Sequence, residues 1–199
     1  MTRRLTTLIL LVLASSTTLA QGRGGQPVPP TPRATAPIDI TGYWVAIISE
    51  DWRWRMITPS RGDFPSIPLN LAAQKIAETW DPAKDEAAGE QCRAYGAPGL
   101  MRGPTRLHIT WLDEDTLKLE TDYGMQTRLL RFGPAKGGGA PSWQGDSVAR
   151  WEGGGRGAGG GTLVVNDPVY LQQPWTVPVH FKKEPNGSKW DPTPCNAKF

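Results

Sequence analysis

The stretch 105–132, TRLHITWLDEDTLKLETDYGMQTRLLRF, decides the fold of this chain. Apolar and polar residues alternate along it, as where Leu107, Ile109 and Trp111 are separated by His108 and Thr110. Two short turns, DED and YG, divide it into three such runs. Alternation with a period of two places the apolar residues on one face of a strand. The stretch therefore predicts an antiparallel meander with one apolar face.

Strand-forming residues also precede this meander, in IDITGYWVAIISEDWRWRMITP over 38–59. β-Branched and aromatic residues dominate the segment, which predicts two strands or one long bent strand. A period of two places Trp52, Trp54 and Met56 on one face. These residues form either a binding platform with flanking arginines or the inward layer of the same sheet. The matching apolar face of the meander favours the inward layer.

One segment has the periodicity of a helix instead of a strand. In LNLAAQKIAETW, over 69–80, apolar residues recur at the three- and four-residue spacings of an amphipathic helix. Asn70 is placed to cap its start, and Asp81-Pro82 to end it. The sequence thus predicts a mainly β fold, barrel-like or strongly curved, with one amphipathic helix near residues 70–80.

The remaining strands are predicted in SVARWEG, TLVV and WTVPVHFKKEP, around glycine-rich connections. These connections lack the order of strand, glycine loop, Lys-Ser/Thr and helix that a phosphate-binding loop requires. Residues 38–199 therefore have the length and pattern of a single β-rich domain.

The first residues indicate export from the cytoplasm. Residues 1–20 combine two arginines, a short apolar run and a small-residue cleavage site, which is typical of a secretory signal peptide. The Sec route fits better than the twin-arginine route, because Thr6 and Thr7 stand where the latter prefers bulky apolar residues. Residues 21–37 are rich in Pro and Gly and predict a disordered linker. A periplasmic or secreted protein without a membrane span is expected.

The charge and the cysteine content limit which binding partners and which cellular compartment the sequence suggests. Without residues 1–20 the chain carries 20 basic and 19 acidic residues, so nothing points to nucleic acid or to an anionic membrane. Cys92 and Cys195 are the only cysteines. In an oxidising compartment they predict a disulfide; free thiols or metal ligands are the alternative, although neither cysteine belongs to a metal-binding cluster.

Catalytic motifs are weak. Gly145-Asp146-Ser147 is like the nucleophile motif of some secreted esterases, but neither histidine has the acid three residues before it that those enzymes use. His108 and His180 lie in predicted strands without the ligand spacing of a metal site. We therefore expect no metal and no cofactor.

Two resemblances add to this interpretation. Gly42-Tyr43-Trp44 and Thr121-Asp122-Tyr123 resemble, in order, two motifs of the lipocalins. That resemblance implies an antiparallel barrel around a small apolar ligand, with a disulfide tethering the C-terminal tail. The lipocalins, however, place their main helix after the barrel.

Longer motifs, from TGYWVAIISEDWRWRMITP to HFKKEPNGSKWDPTPC, are similar to an uncharacterised family of bacterial secreted proteins. The family implies export and a mainly β domain, without an assigned activity. Relative to its pattern, this chain lacks a strand pair after Val165, which predicts an open sheet edge or a partner at that edge.

These observations favour non-catalytic binding of a small apolar or aromatic ligand, or of an envelope partner. Two alternatives remain: an enzyme without a recognisable motif that uses His108, and a structural or interaction module. The candidate ligand-binding residues are Trp44, Trp52, Trp54, Tyr95, Arg106, His108 and Trp111.

Overall fold

The structure is a computed structural model of the chain. It describes residues 28–57, 60, 62–63, 69–134, 142–145, 147–153, 161–166 and 179–197. The side chains of Trp54, Pro98 and residues 161–166 are not part of this description. The predicted signal peptide and the start of the predicted linker lie outside the described residues.

The described residues form one sheet that curls into a half-barrel. Its seven strands run in the order β6-β5-β4-β3-β2-β1-β7. Neighbours are antiparallel except β4 and β5, which are parallel. The strands are β1 (Gly42–Ala46), β2 (Arg106–Trp111), β3 (Thr116–Thr121), β4 (Thr127–Phe132), β5 (Ser147–Gly153), β6 (Gly161–Asn166) and β7 (Phe181–Glu184).

The meander has the single apolar face that its alternation predicts. Ile109 on β2 lies opposite Leu119 on β3, and Leu117 on β3 lies opposite Leu130 on β4. These side chains are buried in the main hydrophobic cluster together with Leu107. Because cross-strand partners point to the same face, one side of the sheet carries the core and the other is polar. The prediction of a mainly β, strongly curved fold is confirmed.

Segment 50–59 does not continue as a strand. Its described part contains a single helical turn, α1 (Trp52–Arg55). Trp52 is 56% exposed and Met56 45% exposed, so the prediction that they form an inward layer is wrong. The helical repeat brings Asp51 and Arg55 together four residues apart, and these two are buried instead.

The predicted helix near residues 70–80 is confirmed as α2 (Leu71–Glu78). Two short helical segments follow, α3 (Pro82–Ala87) and α4 (Ala97–Leu100), with a 3₁₀ helix at Gln91–Tyr95 between them. Only Ala73 of α2 is buried. Leu71 and Ile76 remain exposed, so the apolar stripe of this helix is largely in contact with solvent.

The cap at the start of α2 supports a stability prediction. The Asn70 side chain accepts a hydrogen bond of 2.9 Å from the Ala73 amide. Asn70→Ala should lower the free energy of unfolding by about 1 kcal/mol, because that amide loses its partner. Asn70→Asp, which retains an acceptor, is the matched control and should unfold near the wild-type urea midpoint. Equal losses in both variants would show that the cap contributes nothing.

The C-terminal tail crosses back to the sheet after β7. The buried Asp122 carboxylate accepts a hydrogen bond from the Asp191 amide, and the Asp122 carbonyl accepts one from Thr193. Further along, Cys195 forms a disulfide with Cys92, 103 residues earlier, as predicted. The tail is therefore attached both at the β3 end and at the 3₁₀ helix.

Part of the predicted linker contacts the domain. Residues 32–35 form a turn. The Thr31 hydroxyl donates to the Glu114 carboxylate at 2.8 Å, and the Trp151 indole donates to the Pro32 carbonyl at 2.9 Å. The turn is thus held at the sheet by hydrogen bonds, whereas the sequence predicted a disordered tether through residue 37.

Two strands lie at the margins of the described sheet. Within the described residues β6 pairs only with β5, and β7 pairs only with β1. None of the described helices is long and apolar enough to cross a membrane.

Candidate functional site

The structure distributes the predicted binding residues over several regions. Trp44 packs partly buried against the core, and its indole donates to the Ile40 carbonyl at 2.9 Å. Trp111 also packs against the core, with its ring 5.6 Å from that of Phe132. Both tryptophans therefore contribute to packing on the apolar face of the sheet.

Tyr95 and Arg106 take part in polar contacts around the C-terminal tail. Tyr95 is 3% exposed, and its hydroxyl accepts a hydrogen bond from the Asn196 amide. The Arg106 guanidinium donates to the buried Asp122 carboxylate at 2.8 Å. These contacts help to hold the tail in place.

His108 lies on the polar face, opposite to the core. Its ring stacks on Tyr43 at 4.2 Å, and its Nδ1 lies 3.2 Å from the Glu120 carboxylate. Trp190 of the tail lies edge-on to the imidazole, 6.2 Å away. His108 thus has the neighbouring carboxylate that a catalytic role would require, beside aromatic rings that partly cover it.

Ser147, of the esterase-like motif, starts β5 and is fully buried. Its hydroxyl accepts a hydrogen bond from the Arg128 guanidinium at 3.0 Å. This position gives the hydroxyl no access to a substrate in solvent.

A different group of polar residues meets at α1. The Arg55 side chain is buried, and its Nε donates to the Asp51 carboxylate at 3.1 Å. Its remaining nitrogens donate to the carbonyls of Met101, Gly103 and His180 at 2.9–3.1 Å. A guanidinium presents its donors in a fixed planar fork, so these bonds hold α1 in one orientation on the domain.

The Asp51 carboxylate connects α1 to the start of β7. It accepts a hydrogen bond from the His180 amide at 2.7 Å, and its second oxygen lies 2.9 Å from His180 Nδ1. Burial by itself raises the pKa of Asp51, but the hydrogen bonds from His180 and Arg55 outweigh it and lower the pKa. Asp51 is therefore a buried, ionised acceptor.

The His180 imidazole is half exposed, with 52% of its side chain accessible. Nδ1 is directed at Asp51, and Glu50 Oε2 lies 3.7 Å from the same nitrogen. Nε2 has no hydrogen-bond partner among the described residues. A carboxylate on Nδ1 selects the tautomer in which Nε2 is an acceptor.

Exposed apolar side chains lie at α1 beside the exposed Arg53. Trp52, Met56 and Ile57 are each 45–56% exposed, and we call them the α1 patch. Trp52 and Met56 are four residues apart, and the Met56 amide bonds to the Trp52 carbonyl, so they lie on the same side of the turn. The Trp54 side chain lies outside the described residues.

Sequence reasoning missed Asp51, Arg55 and His180. The available signal was the Asp-Arg spacing of four residues, which is typical of a helical ion pair. His180 was dismissed because no acid precedes it by three residues, whereas its partner lies 129 residues earlier in the chain.

The described part of the chain contains no group of three or more His, Cys, Asp or Glu residues placed to hold a metal ion. Comparison of the chain with protein-family models, with curated proteins and with solved structures gives no match.

Proposed function

We propose that this protein is an exported, non-catalytic binding protein whose α1 patch takes a small apolar or aromatic ligand. The observation that carries the proposal is the exposure of Trp52, 56%, beside exposed Met56 and Ile57. Exposed single apolar residues are ordinary, whereas several exposed apolar residues that include a tryptophan on one helical turn favour a binding surface. Tryptophan is also enriched among residues that dominate binding energy.

The rigidity of α1 supports this function. Asp51 and Arg55 fix the inner side of the turn by bonds to two other parts of the chain, the 101–103 loop and His180. A ligand that binds a surface already held in place loses less free energy to ordering. Trp52 is thus displayed on a preorganised turn.

The size of the α1 patch favours a small ligand over a protein. A stable protein interface buries about 800 Å² on each partner and needs about 20 residues a side. The three side chains of the α1 patch that the structure describes are far fewer than that, whereas they are sufficient to cover one aromatic ring system.

The compartment is part of the proposal. The signal-like residues 1–20 and the Cys92–Cys195 disulfide both support a periplasmic or secreted location. A lipocalin-like interior site remains a distinct proposal, which would use Trp44 and Trp111 on the core face instead of the α1 patch.

The experiment is a titration of the exported chain with 2-methoxynaphthalene, followed by the ¹H–¹⁵N cross-peaks of the tryptophan indoles. The Trp52 indole should shift. In Trp52→Ala, where binding is followed by the fluorescence of the probe itself, the dissociation constant should rise by about tenfold or more. Trp143→Ala is the matched control, because Trp143 is 48% exposed elsewhere on the surface. Its affinity should stay at the wild-type value. Shifts confined to other indoles, or equal losses in both variants, would contradict the proposal.

A second candidate, an interaction module, is favoured by one observation. Among the described strands β6 has no neighbour beyond β5, and its sequence GTLVVN carries no charge that would discourage pairing. An extended segment of an envelope partner could add there as a further strand. Val164→Lys should abolish co-purification with such a partner while leaving 2-methoxynaphthalene binding intact.

A further inference from the structure

We infer that His180 is a second element of the α1 site, and that the ligand combines an aromatic or apolar body with a neutral hydroxyl or N–H donor. The body would lie on the α1 patch, and the donor would bond to Nε2 of His180. This inference rests on the proposed function and adds the chemical class of the ligand.

Asp51 connects Trp52 to His180. Trp52 follows Asp51 directly in the chain, and His180 is bonded to the Asp51 carboxylate through both its amide and its Nδ1. Trp52 and His180 therefore flank the same residue, and both side chains are more than half exposed. The inference places the ligand across Asp51, with its body on Trp52 and its donor at the imidazole.

The hydrogen-bonding state of His180 is the second argument. Nδ1 donates to a buried carboxylate, so in the neutral ring Nε2 has a free lone pair directed away from Asp51. Within the described part of the chain nothing donates to it. A fixed acceptor at the margin of an apolar surface selects for a ligand with a donor at the corresponding position.

Local charge is the third argument. The Arg55 guanidinium is buried and occupied by Asp51 and by carbonyl groups. Glu50 Oε2 lies only 3.7 Å from His180 Nδ1. The nearest charges around the imidazole therefore include two carboxylates, which repel an anionic ligand group. An uncharged hydroxyl or N–H donor avoids this repulsion.

The test compares 2-naphthol with 2-methoxynaphthalene at pH 8. The two probes share the ring system, but only 2-naphthol can donate a hydrogen bond. The wild-type protein should bind 2-naphthol about fivefold more tightly, the factor expected for one net hydrogen bond. Dissociation constants are read from the Trp52 indole cross-peak.

Variants assign the preference to Nε2. In His180→Asn the amide retains a donor for Asp51 but lacks a group at the Nε2 position, so the protein should fold and bind both probes equally. Lys182→Ala, two residues further along on β7, is the control and should retain the preference. Equal binding of the probes by the wild type, or a preference that persists in His180→Asn, would overturn the inference. Failure of both probes to shift Trp52 would instead overturn the proposed function.

Discussion

Arg55→Ala should lower the free energy of unfolding by about 3–5 kcal/mol, the loss typical of breaking a buried ion pair from one side. The Arg55 side chain is fully buried, and its removal leaves the Asp51 carboxylate without its counter-ion. The carbonyls of Met101, Gly103 and His180 lose a donor at the same time. Urea unfolding followed by circular dichroism measures the effect.

Three further variants test whether the loss in Arg55→Ala comes from its buried ion pair with Asp51. Arg53→Ala is the matched control, since Arg53 is exposed on the same turn, and it should change stability by no more than about 0.5 kcal/mol. Asp51→Ala should be about as costly as Arg55→Ala, and the double variant should cost less than the sum of the single variants. Similar small effects at both arginines would show that α1 is not held by a buried pair.

Trp52, on the same turn, should contribute much less to the free energy of unfolding than Arg55 does. Replacing a tryptophan in the inward layer of a sheet by alanine would lower the free energy of unfolding by about 3–5 kcal/mol. Because Trp52 is more than half exposed, Trp52→Ala should cost clearly less than Arg55→Ala. The reverse order of the two losses would restore the strand interpretation of segment 50–59.

Loss of the disulfide should lower the free energy of unfolding about as much as Arg55→Ala does. Cys92 and Cys195 are 103 residues apart, and a cross-link that closes a loop of this length stabilises a domain by about 4–5 kcal/mol in the chain-entropy model. Cys92→Ala/Cys195→Ala should lose this amount because its unfolded state regains the freedom of the loop. The urea midpoints of the variant and of the oxidised and reduced wild type measure it.

The wild type and the variant control for each other. Reduction with dithiothreitol should bring the wild type to the stability of Cys92→Ala/Cys195→Ala and leave the variant unchanged. A loss below about 1 kcal/mol would mean that the Asp122 contacts alone hold the tail.

The parts of the fold that local patterns determine were predictable. The alternation around Leu107, Ile109 and Trp111 gave the meander, and the spacing after Leu69 gave α2 with its Asn70 cap. Cys92–Cys195 followed from an even cysteine count together with the predicted export. In each case the prediction depends on neighbouring residues or on the predicted compartment.

The α1 turn was not predictable in this way, because its sequence satisfies two periods. Trp52, Trp54 and Met56 alternate as in a strand, while Asp51 and Arg55 have helical spacing. The contacts that favour the helix come from distant carbonyls at 101, 103 and 180 and from the His180 amide. Long-range polar contacts of this kind override a local pattern without leaving a sequence signal.

The candidate site was predicted only in part. Trp52 was among the predicted binding candidates, and the structure leaves it more than half exposed, but His180 was not considered. The pairing of Asp51 with His180 joins residues 129 positions apart, which no spacing rule reaches. Trp44 and Trp111 were grouped with Trp52 because all are aromatic, whereas the sheet places them against the core.

Native mass spectrometry of the protein purified from its native source tests whether the α1 patch binds a small molecule. We expect the wild type and Trp143→Ala to retain a small molecule, and Trp52→Ala to lose it. Recovery of only the bare mass from the wild type, or retention that is unchanged in Trp52→Ala, would contradict it.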